Sequence, residues 1–439
     1  MDGTAPVSVS EASVTDSAAH TPVSSGEPEK KSFVAPAALP TQPGPAGIRF
    51  DFNQGARVAV PNRTSGKWRV RLRDEDTGNI LFQNESQGSF IASSKQFYVR
   101  FSITVWDIAE DGTETVTFTH LFDARDREVL IQFPVGTLGD TMGWFPYAAR
   151  FAAVRGAKVI CAMSALISPL LRETYPHIQF LTHEELTEQE TTSKVYATYR
   201  LGLFFDDTAC VHQPTDFRLV GLHRTAGYIL GVDPTEEPPR LAPSEGGRPI
   251  ERPYVCIAVQ SSSQCKYWNN PYGWHSVTTF LQEQGYEVVC IDQKKTHGSG
   301  LVWNHIPHGV RDETGDRTLA ERVRWLRHAE FFVGLSSGLA WLAWAAGTEV
   351  VMISGFTHPT NEYATPFRVV NWHACNSCWN DPALRFDHRD FLWCPRHAGT
   401  SRQFECTRLI TAEHVIATIR RVPNFASLAA KQEKAARTS

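Results

Sequence analysis

The feature that most narrows the folds open to this chain is a series of short, unbroken apolar runs. EVLIQFPVG (128–136), AKVICAM (157–163), PYVCIAV (253–259), YEVVCID (286–292), EFFVG (330–334) and EVVMIS (349–354) each end at, or are followed by, glycine or a polar residue. A strand that is apolar on both faces must be covered on both faces, which means the interior of a parallel sheet. Between the runs lie stretches with helical spacing at 141–156, 274–284, 318–328 and 338–346. Strand, small-residue turn, helix and strand repeat as βαβ units. HIQFLT and KVYATYRL extend the first set of strands. The stretch 233–253, DPTEEPPRLAPSEGGRPIERP, is dense in proline, glycine and charge and reads as a linker. The expected class is therefore α/β, with two Rossmann-like halves at 123–240 and 241–370. Ligands in such sheets bind outside the carboxyl ends of the strands, so two facing halves make a cleft where a donor and an acceptor meet.

Upstream, residues 48–122 change character. IRFDFNQGARVAVP, GKWRVRLRD, NILFQNES and QFYVRFSITVWDI alternate apolar and polar residues, with turn signals at Asp76-Thr77-Gly78-Asn79 and Asp111-Gly112. They predict an N-terminal antiparallel β domain, a small barrel or sandwich. Residues 1–47 are rich in Ala, Pro, Ser, Thr and Glu, with Phe33 the sole aromatic. Such a segment buries too little apolar surface to offset its ordering entropy and is expected to be a disordered tail. Residues 371–425 are irregular, carry four cysteines and end in a helix; 426–439 is a second tail.

Composition excludes several classes. Of 439 residues 42% are hydrophobic and 21% charged, and the formal net charge is -4. No basic tract appears, so no nucleic-acid partner is expected. No run approaches the roughly 20 apolar residues of a membrane span. The N-terminus lacks a positive start and an apolar core, so a cytoplasmic location is expected. Nine cysteines in a reducing compartment are thiols or metal ligands rather than disulfides.

Three places carry chemistry. In EFFVGLSSGLAW a buried strand gives way to Ser336-Ser337-Gly338 at a helix start. Unpaired amides and the positive end of the helix dipole there suit a diphosphate, and an ordinary serine cap is the plainer alternative. Gln260 and Lys266 lie in the polar loop after 253–259, and Lys266 can reach the same anion as a point charge. Asp292 ends its strand and either binds ribose hydroxyls or starts a turn. In the first half, GTLGDTMGWFPY joins a strand to its helix. Asp140 sits at the junction as a helix cap or as a general base for a hydroxyl nucleophile. Near the C-terminus, Cys375-x2-Cys378, Cys394 and Cys406 form a set able to surround one tetrahedral ion, and four thiolates do not choose between zinc and iron.

The stretch 330–355, with 255–266, resembles the ADP-heptose:lipopolysaccharide heptosyltransferases, which have the GT-B fold. Their Asp-Thr/Ser-Gly-x-x-His element is altered here, with Ser336 in place of the Asp and Trp341 in place of the His. Taken with the β domain, GTLGDTMGWFPY and the four cysteines, the chain resembles the bacterial autotransporter heptosyltransferases over about residues 48–420. That resemblance implies heptose transfer from an ADP-heptose donor (ADP-D-glycero-D-manno-heptose) to serines of an autotransporter adhesin passenger, by an inverting GT-B mechanism. It implies Asp140 as general base, with Thr137, Leu138 and Gly139 lining the donor. It also implies one ferric iron (Fe3+) on Cys375, Cys378, Cys394 and Cys406, with Zn2+ as the alternative, and a homo-oligomer, a dodecamer. With its coordination filled, that ion is expected to be structural. Rival readings are a lipopolysaccharide-type transferase, a non-catalytic GT-B-like scaffold, and a zinc-ribbon nucleic-acid binder. The β domain and cysteines speak against the first, the presence of Asp140 and Lys266 against the second, and the acidic balance against the third.

Overall fold

Each unbroken apolar run becomes a strand buried on both faces. In the computed structural model, which describes residues 33–425, Tyr254–Ala258, Phe332–Leu335 and Val350–Ile353 are buried along their whole length. They pair in parallel, Cys256 opposite Phe332 and Phe332 opposite Val350. The second-half sheet runs in the order 311–312, 287–290, 254–258, 332–335, 350–353, 368–369. Counted along the chain that is 3-2-1-4-5-6, the doubly wound order. The order reverses between Tyr254–Ala258 and Phe332–Leu335, and in such sheets the ligand crevice lies past the carboxyl ends at that switch. Gln260 and Ser336-Ser337-Gly338 leave the sheet there.

The first half repeats the pattern with strands 179–181, 158–162, 128–132 and 197–200 in that spatial order. The loop Pro134–Thr137 and the helix Leu138–Arg155 follow the central strand Glu128–Gln132.

This sheet does not stop where the sequence suggests. Arg49–Asn53 adds to it parallel to Ala197–Arg200, and Arg57–Val60 and Ser89–Ala92 continue it antiparallel. The segment 48–122 is therefore not a self-contained barrel or sandwich. Its other strands form a four-stranded antiparallel sheet in the order 80–86, 67–74, 101–108, 114–121. The apolar face of that sheet (Trp68, Val70, Leu72, Ile103, Val105) shares one core with Phe50, Phe52, Val129 and Ile131. The reason lies in Arg49–Asn53. Its polar residues Asp51 and Asn53, which alternation assigns to solvent, are buried and paired.

Part of the expected tail is also built in. The Gln132 side chain accepts from the Val34 amide and donates to the Val34 carbonyl, both at 2.9 Å. Arg57 donates to the Ala37 carbonyl at 2.7 Å, and the Thr41 amide donates to Asp51 at 2.9 Å. Prolines keep such a strap extended at low entropic cost, and buried polar groups of the sheet anchor it. The remaining expected tails, 1–32 and 426–439, lie outside the described residues. Among the described residues no helix is long and apolar enough to cross a membrane.

Asp51 is the knot of this arrangement. Fully buried, it accepts from Arg57 Nε and Nη2 at 2.8 and 2.7 Å and from Asn53 Nδ2 at 2.7 Å. Asp51→Ala leaves the buried Arg57 guanidinium without its counter-charge. It is expected to cost about 3–5 kcal/mol of stability, measured by urea unfolding. A loss under about 1 kcal/mol, the worth of an exposed pair, would contradict this role.

Candidate active site and cysteine centre

The two halves meet through glycine. A Cβ on Gly338 would lie 3.2 Å from Leu138 Cβ and 3.4 Å from the Gly139 amide nitrogen. One on Gly139 would lie 2.9 Å from Trp341 Cδ1, and one on Gly143 3.1 Å from Trp341 Cζ3. Hydrogen at these positions lets the start of Leu138–Arg155 rest on the start of Gly338–Ala345 without displacing Trp341 or Leu138. Thr137 caps the first helix with its Oγ1 buried and unpartnered, and Ser337 caps the second without a side-chain capping bond. The opening amides of both helices lack intrahelical acceptors, so two positive helix ends converge on one place. Such a place suits a diphosphate. Asp140 is the third residue of its helix and partly exposed. Thr137, not Asp140, is the cap, so the capping alternative for Asp140 fails.

On the other wall, the Gln260 Nε2 is buried without a partner at the crevice. Asp292 takes a different place from the one its strand-end position suggests. It is 2% exposed and accepts from the Val259 amide at 2.7 Å and the Gln260 amide at 3.4 Å. Burial outweighs these hydrogen bonds and pushes its carboxyl up to about 6. Asp292 braces the loop that carries Gln260. Ser336 accepts from Thr357 Oγ1 at 3.3 Å. Thr357 also bonds to buried Glu362, which pairs with Arg368. The Lys266 ammonium lies among the rings of Phe356, Trp379 and Phe386.

The cysteine segment is irregular apart from a 3-10 turn at Cys378–Asn380 and a one-turn helix at Glu405–Arg408. Ser377, in the left-handed region at φ 60°, turns the chain between Cys375 and Cys378. The turn docks through the Ser377 amide on the Gly355 carbonyl (2.9 Å) and the Trp379 amide on Phe356 (3.1 Å). The Cys378 thiol is pushed up to about 12 by burial and then by Cys375, with Cys394 adding to the effect. Burial likewise pushes Cys406 up, reinforced by Cys378, Cys265, Cys394 and Cys375. A thiophilic cation bound to Cys378 and Cys406 would reverse that resistance to ionisation. Among the described residues the group whose ligand atoms come together is a different one, and the four cysteines do not form such a group. Ligand atoms of Cys375, His397 and Glu405 lie within 4.8 Å of one another. Glu405, however, is engaged by Arg402 at 2.7 and 2.8 Å and by the Cys375 amide at 3.0 Å, and these partners hold its carboxyl down at about 2.

Comparison with known proteins decides the family. Residues 44–109 match the N-terminal domain of glycosyltransferase TibC, and 229–385 match glycosyltransferase family 9 (heptosyltransferase). The autotransporter heptosyltransferase BAHTCr of Citrobacter rodentium is 53% identical over 410 residues, 92% of this chain and 96% of that protein. This chain belongs to the autotransporter heptosyltransferases. TibC of Escherichia coli O78:H11 is 53% identical over 391 residues, 89% of this chain and 93% of TibC. The structure of TibC as a dodecameric, iron-containing heptosyltransferase in complex with ADP-D-β-D-heptose superposes with a TM-score of 0.83. It covers 90% of this chain and 100% of that one at 51% identity. A relative described as inactive, BimC of Burkholderia thailandensis, is 45% identical over 409 residues, 92% of this chain and 93% of BimC.

In this heptosyltransferase the partners of Trp341 and the residues linking the two halves escape sequence reasoning. Trp341 fills the space between the halves, its ring 4.9 Å from Tyr363 and 5.6 Å from His223. His223 is buried and bonded to Glu236 at 2.9 Å, and Glu236 accepts from the Ala364 amide across the halves. The run SGFTHPTNEYATPFR after a buried strand is the signal that marks the Ser354–Thr357–Glu362–Arg368 network. The heptosyltransferase site depends on the glycine contact. Gly139→Ala is expected to cost about 1–3 kcal/mol by overpacking against Trp341, despite alanine's higher helix propensity. It is also expected to weaken ADP binding. Thermal unfolding and calorimetry check both, and a stabilised variant with normal ADP affinity would show that the halves do not need this contact.

Proposed function

We propose that this heptosyltransferase moves a heptose from ADP-D-glycero-D-manno-heptose to serine hydroxyls of an autotransporter adhesin passenger in the cytoplasm. The observation that carries the reading is the glycine-to-glycine abutment of the two helix starts, which sets Gly139-Asp140 beside Ser337-Gly338. In this mechanism Asp140 takes the proton of the serine hydroxyl as its oxygen attacks the anomeric carbon. The ADP leaves from the opposite face, inverting that carbon. Negative charge growing on the diphosphate is met by the Gly338 helix start and by Lys266, fixed dipoles and a charge that need no rearrangement. Thr137, Leu138 and Gly139 line the donor through their backbone, and Gln260 offers its unpartnered amide. Ser336 is held toward the same place by Thr357. Asp292 acts on the donor only through the Gln260 loop.

Cys375, Cys378, Cys394 and Cys406 would hold one iron ion, Fe3+, with zinc as the chemical alternative. Bound there it would supply a structural crosslink in place of a hydrophobic core. Glu405 is already committed to Arg402, which favours the four-thiol set over Cys375, His397 and Glu405. A dodecameric assembly like that of TibC completes the reading.

Asp140→Asn is expected to lower transfer to a co-expressed adhesin about 10²–10⁴-fold while ADP affinity stays within about threefold. Intact-mass spectrometry and calorimetry read the two. Normal modification would remove Asp140 from the chemistry. Elemental analysis of the purified protein should find one metal ion per chain, lost in Cys378→Ser. A metal content unchanged by that substitution would exclude Cys378 as a ligand.

A further inference from the structure

Lys266 does not end in open solvent. Its ammonium nitrogen lies 5.5, 5.8 and 5.6 Å from the ring centroids of Phe356, Trp379 and Phe386. The three rings form a triangle, with centroids 5.4 Å apart for Phe356–Trp379, 5.4 Å for Phe356–Phe386 and 5.3 Å for Trp379–Phe386. Trp379 and Phe386 belong to the cysteine segment, Trp379 directly after Cys378. The backbone around the lysine is tied to the same segment. The Gln264 amide and the Ser263 hydroxyl both donate to the Phe391 carbonyl, at 2.9 and 3.1 Å. Asn269 Nδ2 donates to Thr407 Oγ1 at 2.9 Å. On the far side of the triangle, Phe356 is followed by Thr357, which donates to Ser336 at the helix start.

A lysine ammonium sits on a flexible four-carbon stem and by default swings toward water. Ring faces attract a cation and restrict that motion, yet they take none of its strong hydrogen bonds, so its N–H groups remain available to an anion. We propose that the cysteine segment is the positioning element of the donor site: the rings of Trp379, Phe386 and Phe356 hold the Lys266 ammonium in place for the donor's diphosphate. The inference rests on the reading of Lys266 as a diphosphate contact. Trp379 and Phe386 are positioning residues that act through the lysine and need not touch the sugar nucleotide. The role also explains why a transferase keeps a thiol-bound segment beside its donor pocket. Fixing Cys378 fixes Trp379, and with it one wall of the cage.

The test is ADP affinity by calorimetry on the full-length, metal-loaded protein, with metal content checked for every variant. Trp379→Leu and Phe386→Leu are each expected to weaken ADP binding about threefold to tenfold, the range for a cation over aromatic faces. Trp379→Phe, which keeps a ring but loses the indole bond to Asn361, should stay within about twofold of wild type. In a Lys266→Met background the leucine substitutions should change affinity less than about twofold, since coupled residues do not add. Equal losses in both backgrounds, or a Trp379→Phe loss as large as that of Trp379→Leu, would overturn the positioning role. Unaltered affinity in both leucine variants would do the same. If Lys266→Met alone binds ADP like wild type, the diphosphate reading of Lys266 fails, and the positioning claim falls with it. Two separate leucine variants guard against one of them failing to fold or losing its metal.

Discussion

The close approach of two helix starts at Gly139 and Gly338 is the contact on which the rest of this molecule depends. A side chain at Gly139 would press on the Trp341 ring and one at Gly338 on Leu138, so packed neighbours on both sides would have to give way. With hydrogen there, two positive helix ends face one volume, and the carboxylate that follows the first of them stands next to it. Neither helix end alone would be distinctive, because caps and orphan amides occur at every helix. Their convergence from two independently wound sheets is what sets this place apart.

The surrounding structure serves that contact. Trp341, where lipopolysaccharide heptosyltransferases carry a histidine, trades a polar donor for bulk that fits against Gly139 and Gly143. The Glu236 carboxylate ties His223 of the first half to the Ala364 amide of the second. Thr357, Glu362 and Arg368 form a buried network behind Ser336. The antiparallel strands at the N-terminus widen the first sheet and share its core, so they stiffen the half that carries Asp140.

Much of this was legible in the amino-acid order, and the rest failed for identifiable reasons. Runs such as FFVG and VVMI announce doubly covered strands because nothing in them tolerates water. The Ser337-Gly338 helix start follows from small residues after such a run. Arg49–Asn53 misleads because its alternation mimics a one-faced strand, while Asp51 and Asn53 satisfy each other in the interior. The strap at 33–47 is invisible to composition, since its anchors are Gln132 and Arg57 far along the chain. Asp292 looks like a ligand at a strand tip, yet two backbone amides at a neighbouring strand end claim it. The aromatic surroundings of Lys266 come from residues about ninety positions or more away, and no local pattern reports them.

The central claim is that the donor's diphosphate sits where the two helix starts meet. A crystal structure of the protein with ADP tests it most directly. Phosphate oxygens are expected within about 3 Å of the Gly338 amide nitrogen, a hydrogen-bonding distance, with Asp140 on the opposite side of the space left for the sugar. A diphosphate bound elsewhere, with ordered water alone at the Gly139–Gly338 junction, would contradict it.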